Sequence, residues 1–402
     1  MYWIWLQQAL GCGSTQAAPL LTRFASPEAI YTADEAGLRA AGLPAAVCRR
    51  LADKSMERAR GILWRTLSDG DWLLTPADEA YPALLRGISA PPLVLYGRGA
   101  VPEFDRQPVI AMVGTRHMSR YGERVTRAIA FELAACGALI VSGGAVGGDA
   151  VATTAALDAD APAVTVQACG LDVCYPAQNE ALRRRTLACG GTLLSEYPYG
   201  QRVQNGAFHV RNRLLSGLAL GVCVTEAPQG SGTLITARYA REQGRDVFAV
   251  PGDVTSPGSA GVNQLIQQGA KLVGGAQDIL EEYRLRYPHI LEAAPMPLPE
   301  AAAPALRAAP SAPTAPTARS LRVAQPAPKQ PEKLPEKSPP ATLPDGVSAD
   351  ARRVFAALSD TPLPVDEIAA AAELPMATVF AALTELELFG LVTPSAGQQY
   401  RR

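Results

Sequence analysis

From residue 108 onward, short apolar runs alternate with amphipathic stretches at nearly regular intervals. Val109–Val113, Ala138–Val141, Ala163–Ala168, Thr192–Ser195, Val222–Thr225, Val247–Val250 and Lys271–Val273 have strand length and are apolar almost throughout. Between them, Glu123–Cys136, Asp149–Leu157, Asn179–Ala188, Leu234–Gln243 and Asn263–Gln268 carry apolar residues at helical spacing. Strands that are apolar on both faces need cover on both faces, and the intervening helices supply it. With right-handed crossovers the pattern predicts an α/β fold, a doubly wound, Rossmann-like parallel sheet.

The flanks read differently. Residues 1–70 predict a small helical domain: Ser26-Pro27-Glu28 and Leu43-Pro44 place proline where a helix starts, and Leu10-Gly11-Cys12-Gly13 is a turn. Its Gly-x-Gly between short helices resembles a helix-hairpin-helix, or a SAM-like helical domain; a plain helical turn fits the same residues. Leu73-Leu74 and Pro91–Gly97 read as strands around a turn and a short helix, leading into the main domain, taken as 71–290. Residues 291–346 are dominated by Pro and Ala and predict an extended linker. From 347 to 402 the pattern returns as three short helices (at Val354–Leu358, Val365–Ala369 and Ala377–Leu383) and a hairpin, which together predict a winged helix-turn-helix domain. Its recognition helix has almost no basic residues, Thr378 being the main polar group, so DNA binding and protein contact both fit it.

Composition narrows the chemistry. The net charge of −1 over 402 residues provides no whole-molecule positive field, so an anion site has to be a local patch. Seven scattered cysteines without a CxxC pair, and three histidines without metal-ligand spacing, point to reduced thiols in a cytoplasmic protein rather than disulfides or zinc. The apolar start, Met1–Leu6, lacks a basic n-region and is too short to span a bilayer, so no membrane insertion is expected.

In an open parallel sheet, ligands bind beyond the carboxyl ends of the strands. Gly114-Thr115-Arg116 follows the first of these strands, Ser142-Gly143 begins the glycine-rich turn after the second, and Phe208–Arg213 lies in the loop after the fourth. A turn with Ser231-Gly232-Thr233 follows the fifth and opens a helix. Arg116, Arg211 and Arg213 offer planar donor forks, Asn212 an amide, Phe208 a stacking face, and the turns free backbone N–H groups. Phosphate donors beside an aromatic surface suggest a nucleotide or a nucleic-acid strand. No G-x-G-x-x-G follows the first strand and no Walker A sequence occurs, so neither a dinucleotide nor an ATP cofactor is expected. No nucleophile is paired with a base: His117, His209 and Ser142 qualify by type alone, while Asp149 and Glu226 suit structural roles at helix starts. Binding rather than catalysis follows.

In this order, Met112–Arg116, Val141-Ser142-Gly143 with Ala145, Gly147 and Asp149, Gly170-Leu171-Asp172, Tyr175-Pro176, Ser195–Pro198, Phe208 with Arg211–Arg213, Ser231–Ala237, Val250–Gly252 and Asn263–Ile266 resemble the DprA/Smf family of DNA-processing proteins. The similarity is dense from about residue 70 to 287. It implies single-stranded DNA held in the Rossmann-like cleft without a cofactor, homodimerisation, and protection and delivery of incoming strands to RecA recombinase during natural transformation. By the same match Arg116 and the Ser142-Gly143 turn hold phosphates, Phe208 stacks on a base, and Arg211, Asn212, Arg213 and Ser231–Thr233 complete the groove. Three residues depart from the family pattern, which usually has Ile at Gly148, His at Thr153 and Pro at His209. Basic residues around the pocket are thin, and Arg183-Arg184-Arg185 and Arg202 are the candidates to replace them. Moderate affinity with strong salt dependence is expected.

Two other readings remain at this point. Related Rossmann-like proteins that cleave a nucleotide N-glycosidic bond use a glycine-rich turn with arginine and glutamate, loosely echoed by Glu226 and Ser231–Thr233. Alternatively the chain is a scaffold whose winged domain recruits a partner.

Overall fold

The computed structural model describes residues 1–288, 348–359, 361–388, 391–395 and 399–401, which fall into two compact units divided after Leu306. The predicted linker at 291–346 lies outside the described residues.

The first unit is built on a nine-stranded sheet: β1 (Trp72–Leu74), β2 (Leu95–Gly99), β3 (Val109–Val113), β4 (Leu139–Ser142), β5 (Ala163–Gln167), β6 (Thr192–Ser195), β7 (Gly221–Val224), β8 (Asp246–Ala249) and β9 (Lys271–Leu272). The order across the sheet is β1-β2-β6-β5-β4-β3-β7-β8-β9. All pairs from β6 to β9 are parallel, and β1 and β2 add an antiparallel edge. All seven predicted parallel strands are present, with ends shifted by one residue at most.

Strand alternation sorts the core into two layers. Val109, Ala111 and Val113 of β3 face helices Ala207–Leu218 and Gly232–Glu242, meeting Leu214, Leu218, Ala237 and Ala240. Ile110 and Met112 face the other way, onto Ile129 and Leu133 of helix Arg120–Ala135 and Ala152 and Ala156 of helix Gly148–Asp158. Burying each large side chain contributes roughly 1.5–3 kcal/mol. The chain runs outward from β3 through β4 and β5 to β6, then returns to the opposite flank of β3 as β7. At that reversal the loops leaving β3 and β7 part in opposite directions and open a crevice at the carboxyl edge.

One helix differs from the sequence expectation. Phe208–Arg213 is not part of a loop: it forms the first turns of helix Ala207–Leu218, entered through Gly206 in the left-handed region (φ 81°). The apolar series Ala207, Leu214, Leu215 and Leu218 carries the helical spacing that the two arginines obscured. Helix Ala276–Tyr283, which packs Ile279 and Leu280 into the second layer, was also not anticipated.

Six helices precede the sheet, from Tyr2–Leu10 to Glu57–Ser68. Ser26 caps its helix by accepting from Ala29 N, with Pro27 at the first position. These helices share a core with the β2–β6 edge, where Ile4, Leu6, Leu20 and Leu51 meet Leu93, Val94, Tyr96 and Leu193. A buried polar chain runs through this junction. Tyr96 Oη donates to Gln7 Oε1 (2.9 Å), and Gln7 Nε2 donates to the carbonyls of Val94 and Glu196. The Glu196 carboxylate takes both its oxygens to Arg213 Nη2 (2.7 Å each) and accepts from Gly13 N (3.1 Å). The Gly11-x-Gly13 turn therefore spends an amide on Glu196, and Gly13 is bare because a Cβ would lie 2.7 Å from Val210 Cγ1.

In the second unit, helices Ala349–Ala357, Val365–Ala372 and Met376–Leu388 enclose Val354, Ile368, Val379, Leu383 and Leu386. A three-stranded antiparallel sheet forms its wing, with Gln399–Arg401 between Leu363–Pro364 and Thr393–Ser395.

Glu196 and Arg213 are both nearly inaccessible, so removing one charge strands the other in a low-dielectric site. Glu196→Gln is expected to lower unfolding free energy by about 3–5 kcal/mol, read from the urea midpoint. Glu196→Gln combined with Arg213→Gln should recover part of that loss.

Candidate nucleic-acid interface

A cavity of about 400 Å³ occupies the crevice at the strand reversal. Gly114, Thr115 and Arg116 reach it from β3, Ala145 and Asp149 from the β4 turn, Phe208, Arg211 and Asn212 from helix Ala207–Leu218, and Ser231–Thr233 from the β7 turn. Of the twelve residues singled out from sequence, nine line it; Ser142, Gly143 and Arg213 do not.

Glycine sets the floor. The turns after β3 and β4 meet backbone to backbone: a Cβ on Gly148 would lie 2.6 Å from Gly114 Cα, and one on Gly147 (φ 78°) would strike the carbonyls of Thr115 and Arg116. At Gly148, the first of the three departures, any side chain would force these turns apart. Thr115 N donates to Glu226 O (2.8 Å) and Thr115 O accepts from Gly148 N (3.0 Å), pinning the β3 turn between its neighbours. At the other departures, Thr153 is buried with Oγ1 donating to its own helix at Asp149 O, and His209 is exposed at the cavity rim.

The helix carrying Phe208 decides which side chains enter. Phe208, Arg211, Asn212 and Leu215 are spaced i, i+3, i+4, i+7 and share the face that lines the cavity. Arg213 stands two residues on from Arg211, about 200° around the helix, and faces Glu196 behind it. It anchors the helix and is not a wall of the cavity.

Arg211 is buried (3% exposed) yet lines the cavity, with Nη1 donating to Val166 O (3.0 Å). Burial holds its pKa below the usual guanidinium range, the Asp149 carboxylate opposes that, and the like charge of Arg116 adds to it. Asp149 is raised by burial and lowered by Arg211 and by the amides of Ala145 and Gly143. Gly143 contributes by lacking a side chain: a Cβ there would overlap both Arg211 Nη1 and Asp149 Oδ2. Exposed Arg116 extends over the Phe208 ring, its Cζ 5.0 Å from the centroid, and Arg211 Cζ lies 6.0 Å from the same centroid. Two guanidinium groups therefore lie near one aromatic ring, with a single buried carboxylate, Asp149, coupled to both. On the opposite wall Ser231 Oγ accepts from Thr233 N (3.2 Å) and caps helix Gly232–Glu242, whose positive end faces the cavity, and Asn212 Nδ2 ties the two helices through Gly232 O (3.3 Å).

Ser142 and Glu226 are committed elsewhere. Ser142 Oγ is fully buried and donates to Met112 O (2.8 Å). Glu226 Oε2 accepts from Ser119 N (2.9 Å) at the start of helix Arg120–Ala135, and Gly122 is glycine because its Cβ would meet that carboxylate. The additional arginines are likewise occupied. Arg183 donates to Gln167 Oε1 and Leu171 O, Arg184 pairs with Glu180 and Arg185 with Asp158. They do not reinforce the cavity, and Arg202 is exposed outside it. Among the described residues no cluster of His, Cys, Asp and Glu could hold a metal ion, and no helix is long and apolar enough to cross a membrane.

Known proteins share this architecture. A model of the DNA recombination-mediator protein A family matches residues 72–284, and one of the DprA winged helix domain matches 336–398. Protein Smf of Synechocystis sp. is 35% identical over 332 residues, covering 82% of this chain and 79% of its own length. A putative DNA processing protein DprA of Mycobacterium tuberculosis is 40% identical over 242 residues, and the match spans only 62% of that protein. The X-ray structure of DNA processing protein A from Streptococcus pneumoniae superposes with a TM-score of 0.60 at 31% identity, covering 70% of this chain and 98% of that one. With the sheet and its crevice inside the first matched region and the three helices of the winged unit inside the second, this chain belongs to the DNA recombination-mediator protein A (DprA/Smf) family.

Proposed function

We propose that the chain binds single-stranded DNA in the crevice, shields it, and hands it to RecA recombinase during DNA uptake, acting as a homodimer and without a cofactor. The observation that carries the binding step is the Arg116–Phe208–Arg211 cluster. Two cations with one partly neutralising carboxylate attract an anion, and the positive end of helix Gly232–Glu242 faces them from the opposite wall. An aromatic face between them favours a ligand that joins phosphate to base. Only an unpaired strand offers its bases to such a face along its length. Hand-over to RecA and dimer formation rest on the family membership.

An N-glycosidase would need a carboxylate free to stabilise or attack the sugar carbon. Glu226 and Asp149 are both tied to backbone amides. No release of free base is expected on incubation with AMP, and turnover would reverse the reading.

Salt dependence separates the contributions. Each phosphate neutralised on a single strand contributes a slope of about −0.7, so the two cavity arginines give roughly −1.4 per protomer in log K against log salt. That is shallower than the sequence suggested, because the Arg183–Arg185 run is engaged in its own contacts. Arg116→Ala is expected to weaken binding of a dT oligomer about 10- to 100-fold and to reduce the slope by roughly 0.7. Fluorescence anisotropy over a salt series measures both, and unchanged binding would remove the crevice from the function.

Gly143→Ala tests the cavity without deleting a charge. The added methyl must displace Arg211 or Asp149, so affinity should fall about tenfold or more while the circular dichroism spectrum is retained. Wild-type affinity in that variant would show that Arg211 is not held where the ligand needs it.

A further inference from the structure

A second cavity of about 450 Å³ adjoins the first, and Arg116 and Ala145 line both. Its far wall is the loop of Cys174, Tyr175 and Pro176. Tyr175 is exposed (41%), and its ring centroid lies 5.6 Å from that of Phe208, the planes inclined by 48°. That spacing is too narrow to admit a base between the rings, since an intercalated base requires about twice the 3.4 Å stacking distance. The rings instead adjoin at an angle, Phe208 lining the first cavity and Tyr175 the second. The loop is braced from below: buried Asn179 donates through Nδ2 to Gly144 O (2.9 Å) and Ala145 O (3.0 Å), and Arg183 Nη2 donates to Leu171 O (3.0 Å). The segment that follows Tyr175 is thereby tied, through Asn179, to the glycine-rich turn that leads into Asp149.

We infer that Tyr175 is a second base-stacking residue and that the strand occupies both cavities, one nucleotide on Phe208 and a neighbouring one on Tyr175, with Arg116 meeting the phosphate that joins them. This rests on the proposed single-strand function and assigns it a path across the surface. A lone tyrosine on a loop is ordinarily a solvated side chain. Here its loop is braced, its ring packs on Phe208, and it borders a cavity that shares its central cation with the first.

The chain contains its own reporters. Exposed Cys174 lines the second cavity, whereas exposed Cys189 follows helix Glu180–Ala188, just before the amino end of β6. N-ethylmaleimide labelling of the full chain, read by peptide mass spectrometry with and without a dT oligomer of about 12 nucleotides, should show Cys174 protected severalfold and Cys189 unchanged. In anisotropy titrations Tyr175→Ala should bind about tenfold more weakly than wild type and Tyr175→Phe nearly as well, because the ring face and not the hydroxyl does the stacking. If the oligomer binds in an Arg116-dependent way while Cys174 reacts at its free rate and Tyr175→Ala matches wild type, the second subsite is wrong and the first stands. If the oligomer does not bind, or binds independently of Arg116, the proposed function itself fails and this inference with it.

Discussion

The crevice depends on backbone meeting backbone where the turns after β3 and β4 touch. Gly114 and Gly148 approach so closely that a methyl on Gly148 would overlap the main chain of Gly114, and the Gly147 turn lies against the carbonyls of Thr115 and Arg116. That approach allows the hydrogen bond from Gly148 N to Thr115 O, and through Thr115 N it reaches Glu226 on the next loop. Three loops are locked in series by main-chain groups, which leaves side chains free to point elsewhere. Arg116 goes outward over Phe208, Asp149 goes inward toward Arg211, and the space between them is the cavity. Larger residues at these glycines would separate the turns and, with them, the two cations.

The charges make sense only against that geometry. A guanidinium as buried as Arg211 loses several kcal/mol of hydration, and a carbonyl acceptor at Val166 and a nearby carboxylate offset part of that. Its Nε has no partner among the described residues. Residual positive potential in a half-enclosed site is what an anion would neutralise. It is held in place by the protein itself, so an anion entering the cavity would not have to order a flexible side chain. A net charge of −1 on the chain is no obstacle, because two cations on a low-dielectric wall act over a few ångströms, within the screening length.

The sheet was legible because buried parallel strands are continuous apolar runs, and the position of the crevice followed from the topology rule for such sheets. Glycine turns, Arg116 and Ser231–Thr233 were placed by being the residues that follow those strands. Phe208–Arg213 was harder. Read as extended chain, Arg211 and Arg213 alternate onto one side; wound into a helix, they stand on opposite sides. Nothing in the residue types favours one over the other, and only the downstream spacing of Leu214, Leu215 and Leu218 does. The Arg183–Arg185 run misled for a related reason. Basic residues look available in sequence, but their partners Glu180, Asp158 and Gln167 come from the same helix, from a neighbouring helix and from the strand β5.

The two arginines of helix Ala207–Leu218 divide one task between them. Arg211 faces the cavity, while Arg213 is bound to Glu196, which in turn holds Gly13 of the helical N-terminal region. A buried pair of this kind contributes little net stability once desolvation is counted. What it fixes is orientation. Rotation of the helix about its axis would pull Arg213 from a bidentate carboxylate and strand both charges, so the face carrying Phe208, Arg211 and Asn212 stays turned to the crevice. The N-terminal helices thus brace the first cavity from behind, through one carboxylate, without contributing a residue to its lining.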